Sequence, residues 1–300
     1  MSEGITTSLQ ELIRLRAAAR SLDLAARRIA QSSQGSGYRS SYRGRGLEFD
    51  EVRAYASGDD ARTIDWKVTA RRGKPHTKLF REERERPVFI LADLHPGMFF
   101  GTRRVFKSVL VAQLAALTAW AAEQGSDRVG GVVSSMAGHS ELPPQARRAG
   151  VLALLNAIVK HQPVAPGEPM SGRLDEAMAR LARVTHPGSL VFLFSDFREM
   201  GPDFERHLTA LSRHSDVQAG FVFDPLESEP PAAGQYSLGV PGQLRLVDTG
   251  HALTNKGWRD HFQAHREKLE KICRRHGVRS MELETRGNPL KSLLRGLAAS

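Results

Sequence analysis

Two aspartates stand where a carboxylate is well placed to do chemistry. Asp93 follows the apolar run at residues 88–92, and Asp196 follows the run at 190–194, so each comes where a buried strand is predicted to end. In an open parallel sheet, ligands bind outside the carboxyl ends of the strands, where the strand order reverses. Two carboxylates there suit a hard divalent cation such as Mg²⁺. The alternative is that each aspartate caps the helix that follows it.

A second group of charged residues lies between residues 53 and 72. Its members are acidic, basic, aromatic and glycine residues, namely Arg53, Tyr55, Gly58, Asp59, Asp60, Arg62, Asp65, Trp66, Arg71 and Arg72. Carboxylates and guanidinium groups this close in sequence satisfy one another through bidentate pairs. We interpret the group as a structural ion-pair cluster, with a partner-binding surface as the alternative. The spacing of its aspartates is not that of a calcium loop.

No enzyme motif accompanies these residues. The sequence contains no GxxxxGK[ST] phosphate loop, no GxSxG nucleophile elbow and no HExxH zinc motif. We therefore predict no catalytic residue, and a hydrolase that uses a cation at Asp93 and Asp196 stays a minor alternative. Ser134 and Ser135 are expected to have no partner that would make either one a nucleophile.

The remaining histidines and the C-terminal aromatic residues are assigned structural roles. We expect surface or helix-cap positions for four histidines, which are His161, His186, His207 and His214. Trp258 and Phe262 are four residues apart in a predicted helix and are expected to pack in the core. Cys273 in the same helix is expected to be a buried, small hydrophobic residue.

Apolar runs of strand length alternate with helical patterns from residue 87 onward. Strands are predicted at 88–93, 129–134, 190–195, 217–223 and 278–283, and helices at 103–124, 146–161, 172–184, 204–213, 258–276 and from 289. An exposed strand at 243–248 is predicted to be one arm of a hairpin. This alternation is typical of an α/β protein with a mostly parallel sheet covered by helices on both faces.

The rest of the chain is predicted to form two smaller parts. Residues 1–46 are expected to hold a basic helix at 9–31 and a flexible Ser/Gly linker, because the helical stretch has no Gly or Pro. Residues 47–86 are expected to form a small β-rich accessory segment without its own hydrophobic core. Residues 87–300 would then be the α/β domain, which includes the C-terminal hairpin and helices.

Composition and charge limit the functions that fit. The net charge is +10, and up to residue 46 there are eight arginines against three acidic residues. A single cysteine fits a reducing, cytoplasmic compartment. The longest weakly charged run, at 108–122, has 15 residues, which is short of the roughly 20 needed to span a bilayer. We therefore expect a cytoplasmic protein that is neither membrane-spanning nor secreted.

A family resemblance is carried by the string Arg53-Ala-Tyr-Ala-Ser-Gly-Asp-Asp-Ala-Arg-Thr-Ile-Asp-Trp66. It is followed by Thr69-Ala-Arg71, by Lys78-Leu-Phe80, by the strand that ends at Asp93, and later by Asp224-Pro225 and Leu246-Val-Asp-Thr-Gly250. From about residue 46 into the C-terminal region, the chain is similar to the family called domain of unknown function 58 (DUF58), a branch related to the von Willebrand factor A domain. The resemblance implies a Rossmann-like, von Willebrand factor A-type sheet.

The resemblance also implies a metal-ion-dependent adhesion site at the top of that sheet. In related domains a DxSxS loop supplies one carboxylate and two hydroxyls, a second loop supplies a threonine, and a third loop supplies an aspartate. The residues at these positions here are, in order, Asp93, His95, Gly97, Gly172 (with Ser171 beside it) and Asp196. Because the hydroxyl ligands are missing, we expect a degenerate site and no cofactor. The alternative is that His95 joins the two aspartates around Zn²⁺ or Mn²⁺.

Members of the family are commonly encoded beside MoxR-type AAA+ ATPases and are thought to act as adaptors for them. The resemblance therefore implies a non-enzymatic adaptor that partners such an ATPase in the remodelling or maturation of a client protein. Its binding face would be formed by the loops at 93–100, 171–175 and 196–199, which contain Asp93, His95, Gly97, Ser171, Gly172 and Asp196. The alternative is a nucleic-acid-binding protein that uses the basic N-terminal region.

Overall fold

The computed structural model of the protein describes residues 4–24, 47–55, 64–82, 86–167, 172–239 and 244–298. The chain divides into two units. The larger combines Met1–Ile29 with Arg86–Ser300, and the smaller is Ala30–Glu85. The N-terminal segment thus belongs to the same unit as the α/β domain.

The regular elements follow one another in this order. The strands are β1 (Leu47–Ala54), β2 (His76–Glu82), β3 (Pro87–Leu94), β4 (Arg128–Ser135), β5 (Gly138–Gln145), β6 (Leu190–Ser195), β7 (Asp216–Phe223), β8 (Gln235–Leu238), β9 (Arg245–Asp248) and β10 (Arg279–Glu284). The α-helices are α1 (Leu9–Arg14), α2 (Trp66–Arg72), α3 (Lys107–Gln124), α4 (Arg147–His161), α5 (Arg173–Val184), α6 (Phe204–Ser212), α7 (Pro225–Ser228), α8 (Ala252–Arg275) and α9 (Pro289–Ala298).

The larger unit is organised around a six-stranded sheet in the order β10-β7-β6-β3-β4-β5. All neighbouring strands run parallel except β5, which pairs antiparallel with β4. The predicted α/β class with a mostly parallel sheet is therefore confirmed. The chain goes from β3 to β4 on one side and later returns to β6 on the other side of β3, so the strand order reverses at β3.

Helices cover both faces of this sheet. Along β3, Val88, Ile90 and Ala92 belong to a core shared with α3, α4 and α9. The alternate residues Phe89 and Leu91 belong to a second core with α5, α6 and α8. A strand that is buried on both faces must be apolar at every position, which is why the runs at 88–92 and 190–194 are continuous rather than alternating.

Strand β5 has no counterpart in the sequence-based prediction. Its residues are half-buried or exposed, and Pro143 and Pro144 fall where the pairing with β4 shifts register between Val129 and Gly131. Proline removes a donor from a sheet ladder and is tolerated at edge strands and bulges. Pro143 and Pro144 therefore fit an edge strand with a bulge.

The predicted helix at 9–31 is wrong in length. Helix α1 ends at Arg14, and a 3₁₀ helix follows at Ala18–Ser21; residues 25–31 lie outside the described residues. The Trp120 indole donates to the Leu12 carbonyl (3.1 Å), and the Gln124 amide donates to the Arg16 carbonyl (2.9 Å). These side chains use carbonyls that a longer α-helix would need for its own ladder.

Helix α3 accounts for the weakly charged run at 108–122. Its residues from Lys107 to Ala122 are buried, with Gln113 half-buried, because the helix packs between the sheet, α4 and the N-terminal segment. It begins at Lys107 rather than at residue 103, since Thr102 is held by Asp224 through its backbone N–H (2.9 Å) and hydroxyl (2.6 Å). Within the described residues, no helix is both long enough and apolar enough to cross a membrane.

The smaller unit contains the antiparallel pair β1–β2 and helix α2. Asp65 caps α2, because its Oδ1 accepts from the N–H groups of Lys67 (3.0 Å) and Val68 (3.1 Å). The helix ends at Gly73, whose φ of 67° is the left-handed conformation that favours glycine. In the larger unit, β9 pairs antiparallel with β8, as the sequence predicts for a hairpin arm.

Candidate functional site

The two aspartates singled out in the sequence meet at one edge of the large sheet. Asp93 is near the end of β3 and Asp196 directly follows β6, and these two strands are neighbours. This edge lies at the carboxyl ends of the strands, where the strand order reverses and ligands bind in related architectures. His95, two residues after Asp93, lies between them.

Five buried or nearly buried side chains form a charged cluster at this edge, which we call the Lys107 cluster: Asp93, His95, Lys107, Asp196 and Glu227. The Lys107 side chain is only 1% exposed, and its Nζ donates to Asp196 Oδ2 (2.7 Å) and to Glu227 Oε1 (2.8 Å). His95 Nε2 lies 3.0 Å from Asp196 Oδ1 and 3.9 Å from Asp93 Oδ2. The ammonium therefore joins the start of α3 to the loop after β6 and to α7.

The opposing charges set the pKa values within the cluster. Burial disfavours the charged form of Lys107, but Asp196 and Glu227 overcome this effect and raise the pKa of the ammonium. Burial would raise the pKa of Asp196, yet Lys107 and then His95 hold it well below its usual range. Burial would lower the pKa of His95, whereas Asp93 and Asp196 raise it to about 9. For Asp93 burial dominates and raises the pKa of the carboxyl.

Neighbouring groups fix the cluster in place. The Ser195 hydroxyl donates to Asp93 Oδ2 and accepts from the Phe197 N–H (2.9 Å). His265 Nε2 lies 2.8 Å from the backbone oxygen of Asp196. Arg198, whose side chain is 43% exposed, reaches Glu227 Oε1 from the solvent side (3.1 Å). The cluster is therefore closed toward the core and touches solvent through Arg198.

The alternative that each aspartate caps the following helix is wrong. The 3₁₀ helix Pro96–Met98 has His95 at its N-cap, with the His95 Nδ1 3.1 Å from the Gly97 nitrogen. Helix α6, the first α-helix after Asp196, has Asp203 at its N-cap. Asp196 instead bonds the Arg198 N–H (3.1 Å) in its own turn. Both carboxylates therefore bond side chains of the Lys107 cluster and backbone groups of their own turns.

The residues at this edge do not fit a divalent cation. A Cβ on Gly97 would lie 2.7 Å from His95 Cε1, so the imidazole fills the space that a side chain at position 97 would occupy. Both oxygens of Asp196 already bond Lys107 and His95. In the part of the chain that the structure describes, no three His, Cys, Asp or Glu residues form a group that could hold a metal ion.

The second-loop position is only partly described. Gly172, with φ of 82°, precedes α5, and its Cβ position has no atom within 4 Å; Ser171 lies outside the described residues. The predicted loop at 171–175 is partly helical, and Asp175 in the first turn of α5 accepts from the N–H groups of Gly201 (3.0 Å) and Asp203 (3.1 Å). The start of α5 therefore contacts the segment that follows the Asp196 turn.

The family-motif residues lie in the smaller unit. Arg53 is in β1, and the Tyr55 N–H donates to the Pro75 carbonyl (2.9 Å). Trp66 and Arg71 are exposed residues of α2. Asp65 is the N-cap of α2, and the remaining members, Gly58, Asp59, Asp60 and Arg62, lie outside the described residues. The predicted ion-pair cluster around these aspartates stays a prediction.

Sequence reasoning missed Lys107 and Glu227. One signal was present, since Lys107 is the only charged residue between Arg104 and Glu123. It stands at the first position of α3, where the helix dipole disfavours a positive charge. Glu227 belongs to the capping box that Asp224 forms at α7. Only the fold brings these two residues together, because they are 120 positions apart.

His161 is also placed differently from the prediction. It is 6% exposed rather than on the surface, and its Nε2 lies 2.9 Å from Ser140 Oγ while its Nδ1 lies 3.3 Å from Ser135 Oγ. Ser135 thus has a partner that the sequence did not predict. Burial lowers the pKa of His161, so the neutral ring joins the end of α4 to the β4–β5 hairpin. Phe262 and Cys273 are buried, as predicted.

Comparisons with known proteins place the sequence among proteins of undefined role. The family described as "Protein of unknown function DUF58" matches residues 51–272. The chain is 30% identical over 263 residues to Uncharacterized protein Rv1480 of Mycobacterium tuberculosis and to Uncharacterized protein Mb1516 of Mycobacterium bovis. In both cases the alignment covers 85% of this chain and 80% of the relative.

Two solved structures show a distant likeness. One is the conserved hypothetical protein BatB from Bacteroides thetaiotaomicron, with a TM-score of 0.42, 14% identity and coverage of 71% of this chain and 98% of that one. The other is an aerotolerance-related membrane protein from Bacteroides fragilis, with a TM-score of 0.44, 13% identity and coverage of 72% and 100%. This second protein is named as a membrane protein, which contradicts the expectation of a cytoplasmic location. We assign no location to the chain.

Replacing Lys107 tests the energetics of the cluster. Lys107→Met leaves Asp196 buried without its ammonium partner, and we expect a loss of about 3–5 kcal/mol in the free energy of unfolding. The double variant Lys107→Met/Asp196→Asn should recover part of this loss, because the uncompensated charge is gone. Urea denaturation measures both variants. Lys160→Met, at an exposed lysine, is the control, and equal stabilities of all three variants would refute the buried pair.

The pH dependence of stability tests the charge of His95. Its pKa rises from 6.5 to about 9 on folding, so its contribution to stability is complete below about pH 6.5 and is lost as the pH rises through about 9. We expect the difference in unfolding free energy between wild type and His95→Gln to be largest near pH 6 and to shrink toward about pH 10. Urea denaturation across this range measures it, and a constant difference would contradict a charged imidazole.

Proposed function

We propose that this chain, which belongs to the family described as protein of unknown function DUF58, is a non-enzymatic adaptor built on a von Willebrand factor A-type domain. In this proposal it brings a MoxR-type AAA+ ATPase to a client protein that is remodelled or matured. The observation that carries the proposal is the Lys107 cluster. In this cluster, the charged side chains at the carboxyl ends of β3 and β6 hold the neighbouring loops together.

Several features of the larger unit support a von Willebrand factor A-type domain. Helices cover both faces of the sheet, β5 adds an antiparallel edge, and the strand order reverses at β3. Asp93 and Asp196 stand at the ends of β3 and β6, at the positions that the family resemblance gives to the adhesion-site aspartates. We propose that the Lys107 ammonium takes the place of the metal ion at this site.

The burial and mutual pairing of the charged groups favour a role in binding over a role in catalysis. A general base or nucleophile must reach its substrate, but His95 is 4% exposed and Asp196 is 1% exposed. Lys107 and the carboxylates neutralise one another inside the protein. Buried, mutually satisfied groups of this kind stiffen the loops that carry them, and loops on a rigid scaffold are common recognition elements.

The exposed rim around the cluster supplies a surface for a partner. Met136, in the turn between β4 and β5, is 53% exposed, and Val164, after α4, is 77% exposed. A Cβ on Gly167 would lie 3.2 Å from Pro96 and 3.4 Å from the Met136 methyl, so these segments meet beside the end of β3. Arg198 adds a half-exposed cation. Flexible Met side chains suit adaptable binding surfaces.

The proposal is tested by binding to a MoxR-type ATPase from the same organism. The purified ATPase, with a slowly hydrolysed ATP analogue or without nucleotide, is titrated onto immobilised wild-type protein in biolayer interferometry. The variant Met136→Glu/Val164→Glu should weaken binding about ten-fold or more, because it places charges in an apolar contact.

The matched control is Leu244→Glu/Leu253→Glu. It also introduces two glutamates in place of exposed apolar side chains, at leucines that are 62% and 84% exposed, and binding should stay within about three-fold of wild type. Absence of binding in every nucleotide state would reject the ATPase as the partner. Equal binding by both double variants would remove the rim from the interface.

A further inference from the structure

Helix α2 of the smaller unit carries an aromatic side chain that packing does not explain. Trp66 is 71% exposed, although it is the largest side chain in the helix. Ala70 lies one turn further along the same face and is exposed as well. A small residue at that position leaves the indole uncovered. Thr69, three residues after Trp66, is tied to its own unit, since its Oγ1 accepts from the His76 N–H (3.1 Å).

Four positively charged side chains follow Trp66 within eight residues of the chain. They are exposed residues of α2 and of the segment after it, namely Lys67, Arg71, Arg72 and Lys74. None of the four forms an ion pair with any residue that the structure describes. The Asp65 carboxylate accepts hydrogen bonds from the first N–H groups of the helix. The face therefore combines one exposed indole with a local excess of positive charge.

We propose that the exposed surface of α2, formed by Trp66, Lys67, Ala70 and Arg71 and extended by Arg72 and Lys74 at its C-terminal end, docks an acidic segment of a protein partner that also supplies an apolar residue. Burying the indole would remove on the order of 100 Å² of apolar surface from water. Trp and Arg are the residue types enriched among the energetically dominant positions of protein interfaces. The inference uses the smaller unit alone and does not depend on the function proposed above.

The details of the face favour a protein segment over other anionic partners. Single-stranded nucleic acid is held by several aromatic rings on which successive bases stack, whereas Trp66 is the only aromatic residue of α2. A helix that binds at a membrane surface needs a broad apolar face. Here Ala70 and the charged Lys67 and Arg71 flank the indole. One apolar anchor within a basic surface matches an acidic peptide with one apolar contact.

Peptide selection on the full chain identifies the preferred ligand. A display library of random peptides, each about twelve residues long, is panned against wild-type protein and depleted on Trp66→Ala. The proposal predicts that the recovered peptides are enriched in Asp and Glu and contain a Leu, Ile, Phe or Met. Recovery of basic or uncharged peptides, or no enrichment over the depleted pool, would overturn it.

Affinities of the recovered peptides localise the contact. By fluorescence anisotropy, Trp66→Ala and Arg71→Glu/Arg72→Glu should each weaken binding about ten-fold or more. Lys256→Glu/Lys271→Glu, which makes the same charge change at exposed lysines of α8, should change it by less than about three-fold. Equal losses in the two charge-reversed variants would mean that only net charge matters, which contradicts the proposal.

Two further probes separate the competing partners. An oligo-dT strand of about twenty nucleotides and vesicles of phosphatidylcholine with phosphatidylglycerol are titrated under the same salt conditions. We expect neither to depend on Trp66. If either probe binds more tightly than the selected peptides and loses ten-fold in affinity with Trp66→Ala, the surface belongs to nucleic acid or membrane and the proposal fails.

Discussion

The contact between the buried Lys107 ammonium and the carboxylates of Asp196 and Glu227 is the interaction on which this edge of the sheet depends. It connects the first residue of α3 to the turn after β6 and to α7, which lie far apart in the sequence. Removing these charges from water costs several kcal/mol for each ion. The cost is offset only because each carboxylate has further partners, His95 for Asp196 and Arg198 for Glu227. The loss of one charged group therefore leaves another one buried without its partner, and the loops that carry these groups depend on one another.

The sequence predicts most of the fold because burial dictates residue type along whole elements. Strands β3 and β6 are apolar at nearly every position, which follows from helices on both faces. Strand β5 escapes such reasoning because an edge strand has no continuous apolar run and tolerates two prolines. Helix α1 is shorter than its composition suggests because Trp120 bonds the Leu12 carbonyl within it and Gln124 bonds the Arg16 carbonyl just after it. These are long-range contacts that no local pattern encodes.

The candidate site is predicted in part for the same reason. Asp93 and Asp196 are found from the sequence because each follows an apolar strand, and the family resemblance adds His95 and Gly97. Lys107 is missed because a single lysine before an apolar helix has no local partner. Its role follows only when α3 is packed against the sheet. The positions of His95 and Gly97 also make physical sense in that context, since the imidazole ring fills the space beside Gly97 and its Nε2 lies 3.0 Å from Asp196 Oδ1.

We propose that the internal Lys107 ammonium takes the place that a divalent cation has in von Willebrand factor A domains. The most direct test is the melting temperature of the full chain in Mg²⁺, in Mn²⁺ and in a chelator, for wild type and for Lys107→Ala. The account predicts that the wild-type melting temperature is the same in all three conditions, and that the variant melts lower. A ligand present at a hundred times its Kd adds about 2.7 kcal/mol to stability, which corresponds to about 5 °C or more for a unit of this size. A rise of that size for the wild type in Mg²⁺ or Mn²⁺, reversed by the chelator, would contradict the claim.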